Sequence, residues 1–273
     1  MSPALRVIVD KANSPAMNMA ADLWLLQSCL QGSEVVVRLY EWEPASITLG
    51  YMQHASETLD REALFQRSVA WIRRPTGGRA VLHHQDITYS CIFPETIVEM
   101  GKTVMETYDV IAKCLMAGLM RVGIECAAMD SFDQMRQTKR DIKLPCFLAP
   151  NRNEIMVNGR KLVGSAQKRS NHAVLQHGSI PLSDAYRRLP DFLQISDEQR
   201  LLQKQLLRAK SICLQEIDSA LTMAQLYSAL VFGFTAVLPF EARQRPWTAE
   251  ELESIETMAT DEHFKETWMP GFV

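Results

Sequence analysis

The sequence has 273 residues, 47% hydrophobic and 22% charged, an ordinary globular composition with length for one large domain or two small ones. A formal net charge of −3 gives no general attraction to nucleic acid or to an anionic membrane surface. No stretch approaches the roughly 20 apolar residues that span a bilayer, and six scattered cysteines without a CxxC pair read as reduced thiols, not a disulfide frame or zinc site. Residues 1–13 lack the apolar core of a signal peptide, so the expected compartment is the cytoplasm.

After a short extended start, residues 14–31 predict a helix with Met17, Ala21, Trp24 and Leu25 on one face. Residues 35–40 and 46–51 are β-rich, and 58–66 suits a short helix. Further strands are expected over 69–73 and 87–93, flanking the glycine-containing stretch 75–78. Val104, Tyr108, Ile111, Leu115, Leu119 and Val122 recur every three or four residues and predict a long amphipathic helix over 103–122. Residues 128–145, with Asp130, Asp133, Arg136, Lys139, Arg140 and Lys143, read as a mobile loop leading to Cys146.

The clearest hairpin signal follows: a strand over 154–157, Asn158-Gly159, and a return strand over 160–165. Asn-Gly suits the two positive φ values of a type I′ turn. A strand over 173–180 is expected to pair nearby, 183 to about 234 turns helical and charged, and 248–258 predicts a last helix. No repeat or low-complexity linker divides the chain. The order predicts an α+β fold, a mixed or antiparallel sheet with flanking helices and a helical C-terminal part. A main domain over 1–240 and a helical tail over 241–273 are expected.

Four segments carry groups able to do chemistry. In Arg73-Arg74-Pro75-Thr76-Gly77-Gly78-Arg79 with His83 and His84 downstream, two glycines after a strand permit close backbone approach to a ligand. It lacks the GK[ST] ending of a Walker loop, and a plain turn between strands is the competing reading. Cys146 stands between Pro145 and Pro150, a setting less suited to core packing than those of Cys91 or Cys114, though cysteine is often an inert small hydrophobe. Lys161 follows the Asn-Gly turn, and Gly164, Ser165 and Ala166 leave room for a narrow ligand channel where bulkier residues would strengthen a strand. His177, beside Gly178 in an apolar strand, lines a pocket or is a satisfied core histidine.

In this order and spacing the segments resemble the lipoate–biotin protein ligase superfamily, over roughly residues 5–240. The markers are the R-R-P-T-G-G segment with His83, the G-R-K-L-V-G-S-A-Q segment and the H-G-S-I segment. Within it the sequence is most similar to octanoyl-[acyl-carrier protein]:protein octanoyltransferases of the lipoate-ligase-like subtype. Cys146-Phe147-Leu148-Ala149-Pro150 matches that subtype's C-F-x-x-P segment, and Lys161 its motif lysine. The resemblance implies that Cys146 is an acyl-thioester nucleophile and that Lys161 lowers its pKa. It places Arg74, Thr76, Gly77, Gly78, His83, Gly164, Ser165, Ala166 and His177 around the substrate. It also implies a catalytic domain of that family's type, acyl-carrier protein as donor, and lipoyl domains or glycine-cleavage H protein as acceptors. No cofactor and no metal are expected.

The chemistry is consistent with that role. A free thiol with pKa of about 8.5 is only a few per cent thiolate near neutrality, and a neighbouring ammonium favours the anion. Exchange of one thioester for another needs no ATP. The chain departs from the family pattern at Asn151-Arg152-Asn153, where Ser and an aromatic are expected, and at His84 and Pro181, where Asp and an aliphatic residue are expected. Those positions bear on chain length and acceptor more than on reaction class. Three rivals remain: an ATP-dependent lipoate–protein ligase, an amidotransferase taking its acyl group from H protein, and a non-enzymatic binding module. About forty residues after Phe234 are few for the separate accessory domain many ligases carry.

Overall fold

The computed structural model describes residues 3–129, 145–148 and 154–270. The chain opens with β1 (Ala4–Val9) and α1 (Pro15–Ser28), then β2 (Glu34–Tyr40) and β3 (Ser46–Leu49). Two short helices, α2 (Ala55–Thr58) and α3 (Arg61–Gln66), lead to β4 (Ala70–Arg73), β5 (Val81–His83) and β6 (Asp86–Pro94). Next come α4 (Val104–Arg121), β7 (Ala127–Met129), β8 (Glu154–Val157), β9 (Arg160–Lys161), β10 (Gly164–Ser170) and β11 (Ala173–Pro181). The last elements are α5 (Asp197–Lys210), α6 (Met223–Val237), β12 (Glu241–Gln244), α7 (Ala249–Thr260) and α8 (Glu262–Trp268).

The main sheet is mixed, in the order β10-β11-β6-β2-β1-β12. β1 runs parallel to β2 and β12, and the other neighbours are antiparallel. Strand alternation sorts its side chains onto two faces. Val35, Val37, Leu39, Tyr89, Cys91 and Phe93 pack under α4 and α6, while Ile8, Val36, Ile92 and Leu175 face Leu25 and Leu26 of α1. A second sheet, β4-β3-β5, and a third, β7-β8-β9, flank it. This is the expected α+β architecture with a mixed sheet. No helix among the described residues is long and apolar enough to cross a membrane.

Several expectations are corrected in detail. The helix over 58–66 divides because Asp60 leaves helical backbone and caps α3, its side chain accepting from the Ala63 N–H. Residues 128–129, expected in a loop, close β7 against β8, and 130–144 lie outside the described residues. The Asn158-Gly159 turn has the expected positive φ values, 50° and 72°. Its return strand splits, however. β9 stays with β8, and from Gly164 the chain crosses to the main sheet, because Leu162 and Val163 turn into the core. A second positive-φ pair, Asn171 and His172, joins β10 to β11 and was not anticipated. Nor were β5 and β12. The segment after 240, expected to be helical, enters the main sheet as its edge strand before α7 begins.

Candidate active site

A narrow cleft, partly open to solvent, lies where the small sheet meets β10 and β11. Its walls are mainly apolar: Met19 of α1, Tyr40 and Trp42, Val81, and the small residues Gly164, Ala166 and Gly178. Gly178 must be glycine, since a Cβ there would stand 2.6 Å from the Gly164 carbonyl oxygen and 2.7 Å from the Tyr89 ring. The small residues read as a channel in the sequence therefore do border open space. Six of the expected substrate residues line the cleft: Arg74, His83, Gly164, Ser165, Ala166 and His177.

Thr76, Gly77 and Gly78 are not among the lining residues: Thr76 is buried and bonded to His177, and the two glycines are exposed. Gly78 holds φ +96°, and Gly50 approaches it so closely that a Cβ on Gly50 would collide with the Gly78 carbonyl. Arg74, 4% exposed, is the clamp inside this loop. Its guanidinium donates to the carbonyls of Thr48 (3.1 Å), Gly77 (2.8 Å) and Arg79 (2.9 Å), and to the hydroxyls of Thr76 (3.1 Å) and Thr48 (3.3 Å).

Each cleft histidine bridges a threonine and a carboxylate. His177 Nε2 lies 2.7 Å from Thr76 Oγ1, with Nδ1 3.5 Å from Asp22 Oδ2. His83 Nε2 lies 3.0 Å from Thr48 Oγ1, with Nδ1 2.8 Å from Asp86 Oδ2, and its ring stacks on Trp42 at 4.4 Å. Asp22 is fully buried on α1 and also accepts from Arg38 (3.0 Å), Tyr40 (2.9 Å) and Ser90 (2.9 Å). Burial pushes the His177 pKa below its ordinary value, helped by the charge of Arg74 and opposed by Asp22. Burial would raise Asp22, but the hydrogen bond from His177 and the Arg38 charge outweigh it and hold the carboxyl low. Asp22 and Asp86 escaped sequence reasoning. The available signal was a lone carboxylate amid the apolar run Met19–Leu26 of α1 for the first, and at the head of an apolar strand for the second.

Cys146 sits in a single 3-10 turn, Cys146–Leu148, and its side chain lies outside the described residues. The next residue, Phe147, is buried against Tyr186 with ring centroids 4.7 Å apart. It clusters with Val81, a cleft wall, and a Cβ on Gly164 would touch its ring at 3.5 Å. Lys161 is buried in β9 and pairs with Glu154 Oε1 at 2.6 Å. It does not line the cleft. The other five cysteines are poor nucleophiles by environment. Burial raises the thiol pKa of Cys29, Cys126 and Cys213 to about 11 and of Cys114 to about 12, and lifts Cys91 well above the ordinary range.

Octanoyltransferase LipM of Bacillus subtilis is 35% identical over 268 residues, covering 95% of this chain and 96% of its own. LipM of Staphylococcus aureus is 33% identical, covering 98% and 99%. Among solved structures, a lipoate-protein ligase A bound with ATP superposes with TM-score 0.77 at 19% identity, over 100% of both chains. A bipartite lipoate protein ligase of Thermoplasma acidophilum gives 0.77 at 18% identity, covering 97% and 96%, so the fold is shared with both. The lipoyl protein ligase A/B catalytic domain model matches residues 14–235, and the chain belongs to that family.

Proposed function

We propose that this chain is a protein octanoyltransferase of protein lipoylation, working through a thioester on Cys146. The Cys146 thiolate attacks the octanoyl thioester of acyl-carrier protein, forming the acyl-enzyme and expelling the carrier thiolate, which takes up a proton from solvent. The ε-amine of an acceptor lysine, on a lipoyl domain or glycine-cleavage H protein, then attacks the acyl-enzyme. An amide forms, a proton leaves the amine, and the Cys146 thiol is restored. Lys161 favours the thiolate, and neither ATP nor a metal takes part.

The reading is carried by one observation: a mainly apolar cleft of acyl-chain character is walled by Val81 and Gly164, which hold the residue next to Cys146. The near-full-length relatives named octanoyltransferase support the acyl group. Intact-mass measurement after mixing with octanoyl-carrier protein tests it. A gain of one octanoyl group, removed by hydroxylamine and absent in Cys146→Ala, is expected without nucleotide. Turnover that begins only when ATP is added would replace this reading with that of a ligase. An acyl group accepted only from H protein would make the enzyme an amidotransferase.

A further inference from the structure

Arg74 touches two threonines, and each of those threonines touches a different cleft histidine. The protons on these bonds can be assigned from their partners. A guanidinium only donates, so Thr76 Oγ1 accepts from Arg74 Nε at 3.1 Å, and Thr48 Oγ1 accepts from Arg74 Nη1 at 3.3 Å. Each hydroxyl has one proton left to give. His177 Nε2 waits 2.7 Å from Thr76 and His83 Nε2 waits 3.0 Å from Thr48. Both rings then carry a proton on Nδ1, where a carboxylate stands: Asp22 for His177, Asp86 for His83. The reverse tautomer would point a nitrogen lone pair at each carboxylate and leave each threonine proton without its imidazole acceptor. Asp86 is itself set by Ser179, which donates to Oδ2 at 2.6 Å.

We propose that Arg74 is a positioning residue that acts through Thr48 and Thr76 to lock both cleft histidines, His83 and His177, in the tautomer that accepts at Nε2 and donates from Nδ1. The nitrogens are thereby taken up in hydrogen bonds, and the imidazoles offer the cleft ring surface against which an acyl chain can lie. Ring stacking of Trp42 on His83 covers the other side of that ring. One side chain of the glycine loop thus sets the polarity of walls contributed by β5 and β11. This role rests on the acyl-cleft reading of the site, but the hydrogen-bond lock does not.

The test has two arms on the full-length protein. Long-range ¹H–¹⁵N spectra of ¹⁵N-histidine-labelled enzyme report which ring nitrogen is protonated, in the wild type and in Thr48→Val, Thr76→Val and Arg74→Lys. The wild type is expected to show two histidines protonated at Nδ1, with His177 losing that signature in Thr76→Val and His83 in Thr48→Val. Loss of one such bond lowers acyl-transfer kcat/KM by about 5- to 10-fold. Rescue by Thr76→Ser, which restores the hydroxyl, separates positioning from packing. Arg74→Lys is expected to unlock both rings, and if it fails to fold the threonine variants still decide. Wild-type rings protonated at Nε2, or tautomers unmoved in the valine variants, would overturn the proposal, as would shifted tautomers with unchanged kcat/KM. A wild type that forms no acyl adduct while its tautomers respond as described would instead sink the proposed function.

Discussion

Lys161 and Glu154 form a buried pair, 4% and 9% exposed, at the root of the Asn-Gly hairpin. A buried ion pair is weak evidence of stability, but removing one partner takes a charge-assisted hydrogen bond out of the interior. Glu154→Ala is therefore expected to lower unfolding free energy by about 3–5 kcal/mol, and Glu154→Gln by less because it retains an acceptor. Urea titration checks both. Lys161→Met removes the ammonium proposed to favour the thiolate. The pH at half-maximal adduct formation should then rise toward the free-thiol value of about 8.5. His177 gives a third expectation. Its pKa is depressed by burial below the ordinary 6.5, so as pH falls the unfolded chain takes up that proton first. The stability contributed by the neutral ring is complete above 6.5 and is lost as pH falls from there through the folded-state value. His177→Asn should flatten the pH dependence of the urea midpoint between about pH 7 and pH 5, whereas a slope identical to wild type would contradict the shift.

At the scale of elements, two close backbone contacts govern what can change. In the glycine loop a Cβ on Gly50 collides with Gly78, and Gly78 itself holds φ +96°, but Gly77 has nothing within 4 Å of an added Cβ. Gly77→Ala should therefore fold with near wild-type Tm. If substrate approaches this backbone, the same variant loses transfer activity, and steady-state kinetics beside a melting curve separates the two effects. Gly50→Ala should lose both. Across the core, α4 and α6 cross at Gly118 and Gly233. A Cβ on Gly233 would strike the Cys114 carbonyl and lie 2.6 Å from the Gly118 amide nitrogen. Gly233→Ala must push the helices apart, and overpacking of this kind destabilises by about 1–3 kcal/mol.

For the whole molecule, the segment after residue 240 is bound at several levels. β12 pairs in parallel with β1 from Ala4↔Glu241 to Val7↔Gln244, and Arg6 holds Glu251 through two bonds of 2.6 and 2.7 Å. Ile255, Ala259 and Phe264 share a cluster with Met19, Tyr40 and Trp42, three of the cleft's own walls. A chain truncated after Phe240 should therefore melt lower and transfer acyl groups poorly. Wild-type Tm and activity in that truncation would mark the segment as dispensable.

Local patterns were legible where they were self-sufficient. The 3.6-residue spacing of α4 and the Asn158-Gly159 turn need nothing distant to form, and the sequence alone determined them. It also determined the family, through ordered segments that keep their glycines and lysine. β5 and β12 were not legible, because three or four residues carry too little periodicity and pair only with strands brought close by the fold. The partners of the site were decided by tertiary structure as well. Asp22 stands 155 positions from His177 and Thr76 stands 101. Hydrogen bonds across such separations depend on how α1, the glycine loop and β11 pack, and packing is a property of the whole chain rather than of any segment in it.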